Sequence, residues 1–567
     1  SLSYPQSPPS PILIPTPENY QDLVKPITLE NATAIFNTVL AALRPKHSQL
    51  IPNGVSFIPA YIPQGSLLYH GNNNGEIPKG LEWVAFDHEF SMNFIDHRFG
   101  MGGPPGFNGS KPGHGPKHGK HKGPPPMEVD ERGPPPPPHK GGPGNKGPFG
   151  PGKDRQDHPS MLTFQVVKPL DKMILLDGSS AAKSRTGEMD TQMVLARAGV
   201  NETMREYEAA EKICKWGKPF GIDGYIRVEV GFEAVICDFH SEKLKLISNV
   251  TIERAQESLK FPLEDGDDIS AEEKHILDRI YATAGYEQVK QGNVHDKRDG
   301  RILLDFRGLV TPLNRTWVNP DPYLRRINNV SSDLQDELIQ DLGSYMSSEL
   351  NPYLGTDWQL VADEIIDKLA PMLKQLNDSL SNLSQSSKDE EILESATNCS
   401  VLTSDFVRRF ADFDIKDKHV RFEKAKKQAT YQYSHPLQHL QSESDVLIWS
   451  SITHITSKVV DTIFEISKHS GKVVIAGYVE KTPLGKYKDS LLASQENLNS
   501  LLETLNWPIY YECDRLCGWN EVCYTPSWGP NPLSSWGKDV FGTITKEGET
   551  RARVVSPLQC ISVDTIL

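Results

Sequence analysis

The chain has 567 residues, a formal net charge of −14 and a hydrophobic fraction of 37%. That length allows several domains, and the charge argues against a general nucleic-acid binder. No stretch of the sequence is long and apolar enough to read as a membrane-spanning helix.

In chain order, residues 1–19 are rich in Pro and Ser and read as an extended N-terminus. The chain begins SLSYPQ without Met, which removal of a signal or anchor segment, or trimming, explains. Residues 20–251 read as one mixed α/β domain. NATAIFNTVLAALR places Ile35, Phe36, Val39, Leu40 and Leu43 on one helical face. VSFIPAYIP, SLLYHG and LEWVAFD read as strands, and HEFSMNF as a short helix.

Residues 98–159 then interrupt the domain with Gly, Pro, Lys and His. Such a composition lacks the apolar side chains a packed core needs, so the tract is expected to be a disordered insertion. Strand text resumes at LTFQVVKPLDKMILLDG, followed by a helix, REYEAAEKICKWGKPF, and a strand pair, GYIRVEVGFEAVICDF.

Residues 252–507 read as mainly helical. SDLQDELIQDLGSYM aligns Leu334, Leu338, Ile339, Leu342, Tyr345 and Met346, with Ser332 or Asp333 as cap. DWQLVADEIIDKLAPMLKQL repeats the pattern at Leu360, Val361, Ile365, Leu369, Met372 and Leu376, with a kink expected at Pro371. DVLIWSSITHITSKVVDTIFEISKHSG gives a third helix through Ile448, Ile452, Ile455, Val459, Ile463 and Ile466, expected to end at Gly471. Residues 508–567 form a Cys-rich tail, a third unit or a strap across the others. The fold class is therefore α+β.

Two patterns point to the secretory pathway. Asn31, Asn108, Asn201, Asn249, Asn314, Asn329, Asn377, Asn382 and Asn398 each begin an Asn-x-Ser/Thr sequon, a density well above chance. Cys513, Cys517, Cys523 and Cys560 cluster in the tail and read as two disulfides. A zinc site is the rival, though the spacing fits a CxxC knuckle poorly. Cys214 and Cys237 flank a helix-strand unit and are a further pair, leaving Cys399 over.

His114, His118 and His121 are weak metal-ligand candidates, since imidazoles on flexible chain gather around Cu(II), Ni(II) or Zn(II) without fixed geometry. With the neighbouring lysines they make a patch that grows more cationic near pH 5, fit to contact anionic wall polymers or phospholipid headgroups. Lys297-Arg298 and Arg325-Arg326 are dibasic pairs, read as processing sites or, more simply, as surface pairs. No GxSxG, HExxH or Walker motif is present.

The order SLLYHGN, GLEWVAFDHEFSMNF, GIDGYIRVEVGFEAVICD resembles ADP-ribosyltransferase-like folds. The resemblance implies NAD as cofactor and NAD cleavage or ADP-ribosyl transfer as the reaction. It implies that His70 and Gly71 hold the nicotinamide ribose, with Glu233 as the catalytic carboxylate facing the oxocarbenium-like state. Trp83 and Phe86 stand where such enzymes carry a Tyr that stacks on nicotinamide. Gly231 stands where the arginine-modifying branch has Glu or Gln. The segments MILLDGSSAAKS, RILLDFRGLVTPLNRTW and CGWNEVCYTPSWGP also resemble a family of uncharacterised fungal proteins of the secretory pathway or membrane surface. Two functions follow as expectations: an extracytosolic glycoprotein that cleaves NAD, or a non-enzymatic surface protein that binds polymers or metal through its tract.

Overall fold

The computed structural model describes residues 14–95, 158–179, 190–197, 206–228, 231–252, 298–384, 387–436, 439–524 and 557–562. The N-terminal part has helices α1 (Tyr20–Leu23), α2 (Leu29–Ala41), α3 (Pro45–Leu50), α4 (His88–Ile95), α5 (Asp190–Leu195) and α6 (Glu206–Gly217). Its strands are β1 (Phe57–Ile62), β2 (Leu67–Asn72), β3 (Glu82–Ala85), β4 (Ser160–Val166), β5 (Leu170–Ser179), β6 (Gly224–Val228), β7 (Phe232–Ile236), β8 (Leu244–Thr251) and β9 (Leu303–Leu304).

These strands make one sheet in the order β8-β4-β2-β3-β7-β6-β5-β1-β9. All neighbours are antiparallel except β5 and β6. A parallel pair needs a crossover, and α5 and α6 lie in that connection. The strands β6 and β7 are buried along their whole length, which explains their nearly unbroken apolar text. Strand β8 alternates half-buried and exposed positions at first and is exposed at its end, as suits an edge.

Residues 303–304 return to the sheet by pairing with β1, so chain well past residue 252 contributes to it. The 98–159 tract has both flanks near the end of β2. Ile95 packs over Gly71, and His158 N donates to Asn73 O at 3.0 Å.

Helices α7 (Ser332–Ser347), α8 (Trp358–Ser381), α9 (Asp389–Phe410), α10 (Lys418–Ser434), α11 (Glu443–Ile475) and α12 (Lys488–Leu505) follow. On α11 the expected face, Ile448 to Ile466, is at most 1% exposed at every expected position. Helix α2 belongs to this bundle as much as to the sheet: Asn37 Nδ2 donates to Leu505 O at 3.0 Å, and Phe36 stacks on Trp507 at 5.7 Å. One continuous buried cluster runs from the sheet into the bundle.

Local expectations are corrected in three places. The cap of α7 is Ser331, whose Oγ accepts from Leu334 N. Leu360 is 50% exposed, because the stripe of α8 centres on Val361, Ile365 and Leu369. Gly471 does not end α11; Val473 and Ala476, both 1% exposed, extend the buried face past it. A π-helical turn, Ala476–Glu480, continues from α11 and ends at Lys481, in the left-handed region at φ 53°.

The tail pairs β10 (Glu521–Tyr524) with β11 (Gln559–Ser562). It packs in a small separate cluster with Leu50, Ile51 and Tyr323, as a strap on the N-terminal part.

Candidate functional site

Register decides what the sheet brings together. Tyr69 pairs with Ala85, and Ala85 with Glu233. Paired residues share a face and neighbours along a strand alternate. Glu233 therefore shares its face with Tyr69 and Trp83, and His70 points to the opposite one. His70 packs beside Phe239, with Nδ1 2.7 Å from Trp83 O. Burial lowers its pKa, and the Trp83 carbonyl pulls partly the other way. The two residues that the ADP-ribosyltransferase resemblance assigns to one NAD cleft are thus separated by the sheet.

Glu233 is 2% exposed and Arg227, directly across in register on β6, is 8% exposed. Arg227 Nε donates to Glu233 Oε1. Its Nη1 donates to Gln192 Oε1 at 3.0 Å, and both Nη atoms reach the Glu206 carboxylate at 3.4 Å. Strand β6 carries Arg227, α5 carries Gln192 and α6 carries Glu206, so this network ties the crossover helices to the sheet. A carboxylate already matched by a guanidinium and sealed from solvent does not face a developing cation. The arrangement is a buried ion pair with hydrogen bonds satisfying its ends.

The other residues assigned to the cofactor have structural occupations. A Cβ at Gly71 would strike Ser91 O and lie 2.8 Å from Ile95 Cγ1, so Gly71 is the seat of α4 on β2. Trp83 packs against Tyr207 of α6 at 6.2 Å. Phe86 is 1% exposed, edge-on to Phe232 and under the Arg301 guanidinium.

The structure pairs Cys214 with Cys237, Cys513 with Cys523 and Cys517 with Cys560. The first clamps α6 to the sheet and the other two hold the tail. The sulfurs of Cys513, Cys517 and Cys523 lie within 4.8 Å of one another, the grouping a metal would need, but each is bonded to a cysteine partner. Cys399 is free and buried, and desolvation raises its thiol to about 12.

Among the described sequons, Asn249, Asn314, Asn329, Asn382 and Asn398 are exposed, and Asn31 and Asn377 are half-buried. Asn108, Asn201, His114, His118 and His121 lie outside the described residues. Among those described, no helix is long and apolar enough to cross a membrane.

Sequence reasoning missed Arg227, although a lone Arg within the apolar GYIRV strand was a signal for a buried partner. It also misread Arg325-Arg326 as a surface pair. Arg325 is 2% exposed, and Arg326 grips Asp190 with Nε–Oδ2 at 2.6 Å and Nη2–Oδ1 at 2.9 Å. Arg298 pairs with Asp357 at 2.7 Å.

Two family models match the chain. The YPL277C N-terminal domain matches residues 15–273 and 264–351, and the YPL277C C-terminal domain matches 357–481. The two meet in the connection between α7 and α8. Uncharacterized protein YOR389W of Saccharomyces cerevisiae (strain ATCC 204508 / S288c) is 35% identical, covering 100% of this chain and 94% of its own length. Uncharacterized protein YPL277C of the same organism is 37% identical, covering 69% of this chain and 82% of its own. No solved structure matches.

Proposed function

We propose, from the premise that the chain belongs to the YPL277C family of yeast proteins, that it is a disulfide-braced glycoprotein working outside the cytosol, by binding and not by catalysis. The carrying observation is the cysteine pattern: every cysteine but Cys399 has a bonded partner. Structural disulfides persist in oxidising compartments and are rare in the cytosol. The exposure of the sequon asparagines supports the same compartment, since an oligosaccharide needs a surface position.

Binding is favoured over catalysis because His70 and Glu233 face away from each other and Glu233 is matched by Arg227. The basic His/Lys/Gly/Pro tract is the proposed contact with anionic cell-wall polymer, on a chain otherwise of net charge −14.

Protein purified from yeast and treated with a peptide-N-glycosidase tests the reading. Glycopeptide mapping is expected to place glycans among Asn249, Asn314, Asn329, Asn382 and Asn398. Unmodified asparagine at all of them would contradict an extracytosolic glycoprotein.

A further inference from the structure

A cavity of about 330 Å³ opens between the start of α2, residues 51–53, the 320–325 loop and the end of α12. Its volume is that of a small-ligand pocket. Arg325 lines it and is 2% exposed. The guanidinium bonds only neutral acceptors: Nε to Asn319 O at 3.0 Å, Nη1 to Asn53 Oδ1 at 2.9 Å and Nη2 to Pro320 O at 2.8 Å. Three of its five donors are used this way. Among the described residues no carboxylate ion-pairs with it; Asp177 and Asp321 act only as more distant charges, and burial lowers its pKa to about 10.

A buried charge without a counter-charge is costly unless something completes it. Two more buried side chains line the same cavity with unused polar atoms. Asn37 Oδ1, on a side chain 2% exposed, and Thr33 Oγ1, on one 8% exposed, lack hydrogen-bond partners among the described residues. Asn37 is held in place through its other end, which donates to Leu505 O. Around these lie Glu30, Asp321 and Glu503. One deep cation, a deep acceptor and an acidic lining describe a ligand with one negative group and a positive one. A polyanion is disfavoured by the three carboxyls.

We infer that this cavity binds a small zwitterion, a free α-amino acid, whose carboxylate docks on Arg325 and whose ammonium group faces Asn37 Oδ1 and the carboxyls of Glu30, Asp321 and Glu503. Thr33 Oγ1 supplies a further polar contact to the ligand. The inference stands on side chains that the extracytosolic reading does not use.

The test is calorimetric titration of the full-length protein with each of the twenty L-amino acids, with acetate and methylammonium as half-ligands. At least one amino acid is expected to bind one-to-one, and far more tightly than either half-ligand. Glu30 and Glu503 are exposed, so the E30Q/E503Q double variant leaves the fold intact. It is expected to weaken the amino acid about tenfold or more, the usual effect of losing a charge-assisted contact, and to leave acetate binding no weaker, since two repelling carboxylates are gone. Arg325→Gln should abolish binding. No binding by any amino acid, acetate binding as tightly as the best amino acid, or an unchanged affinity in E30Q/E503Q would each overturn the proposal.

Discussion

A carboxylate buried against a guanidinium predicts a stability defect when it is neutralised. Glu233→Gln removes the negative charge that matches the buried Arg227 guanidinium, whose other contacts include Gln192 and Glu206. Breaking one side of a buried pair costs on the order of 3 kcal/mol. Replacing both partners with apolar residues of similar volume should cost much less, and urea unfolding of the two variants checks the contrast. Equal stability of Glu233→Gln and the parent would mean the pair does not carry the packing. His70 makes a pH prediction. Burial lowers its pKa, so the folded chain keeps it neutral while the unfolded chain protonates it near the ordinary value of about 6.5. Its contribution is complete above that value and is lost as pH falls through the depressed folded value. His70→Gln should therefore show a shallower fall in Tm between pH 7 and pH 5 than the parent. An unchanged slope would contradict a neutral buried imidazole.

Elements were legible wherever hydrophobic periodicity was strong. The face of α11, and the strands around Ala60, Leu68 and Ala234, follow directly from apolar spacing. Helix ends were less legible, because they depend on tertiary burial. Gly471 looked like a stop, yet α11 continues since Val473 and Ala476 still find the core. Nothing lies within 4 Å of a Cβ built at Gly471. Gly471→Ala should therefore stabilise the protein by up to about 1 kcal/mol through helix propensity, measurable as a raised denaturation midpoint. Gly71→Ala should do the reverse. Its new methyl meets Ser91 O and Ile95, and overpacking of this kind typically costs about 1–3 kcal/mol. A neutral Gly71→Ala would show that α4 shifts freely on β2. The site was the least legible feature. Strand text put His70 and Glu233 each on a strand, but only strand order and register reveal that β3 lies between them and that they face opposite ways. Likewise RR at 325–326 gives no sign that one arginine is buried beside a cavity and the other is locked to Asp190.

At the scale of the molecule, a sheet and a helical bundle share one core, α2 joins them, and disulfides fix α6 and the tail. Removing residues 103–153 shortens an insertion both of whose flanks lie near the end of β2, and closure entropy changes slowly with length. The deletion is expected to leave Tm nearly unchanged and to lower retention on an anionic polysaccharide resin at pH 5. A large fall in Tm would mean that the tract packs against the fold. The compartment is tested most directly by non-reducing peptide mapping of protein purified from yeast. Linked peptides are predicted for Cys214–Cys237, Cys513–Cys523 and Cys517–Cys560, with Cys399 alkylated only after denaturation. Free thiols or bound zinc at Cys513, Cys517, Cys523 and Cys560 would contradict a protein built for an oxidising environment.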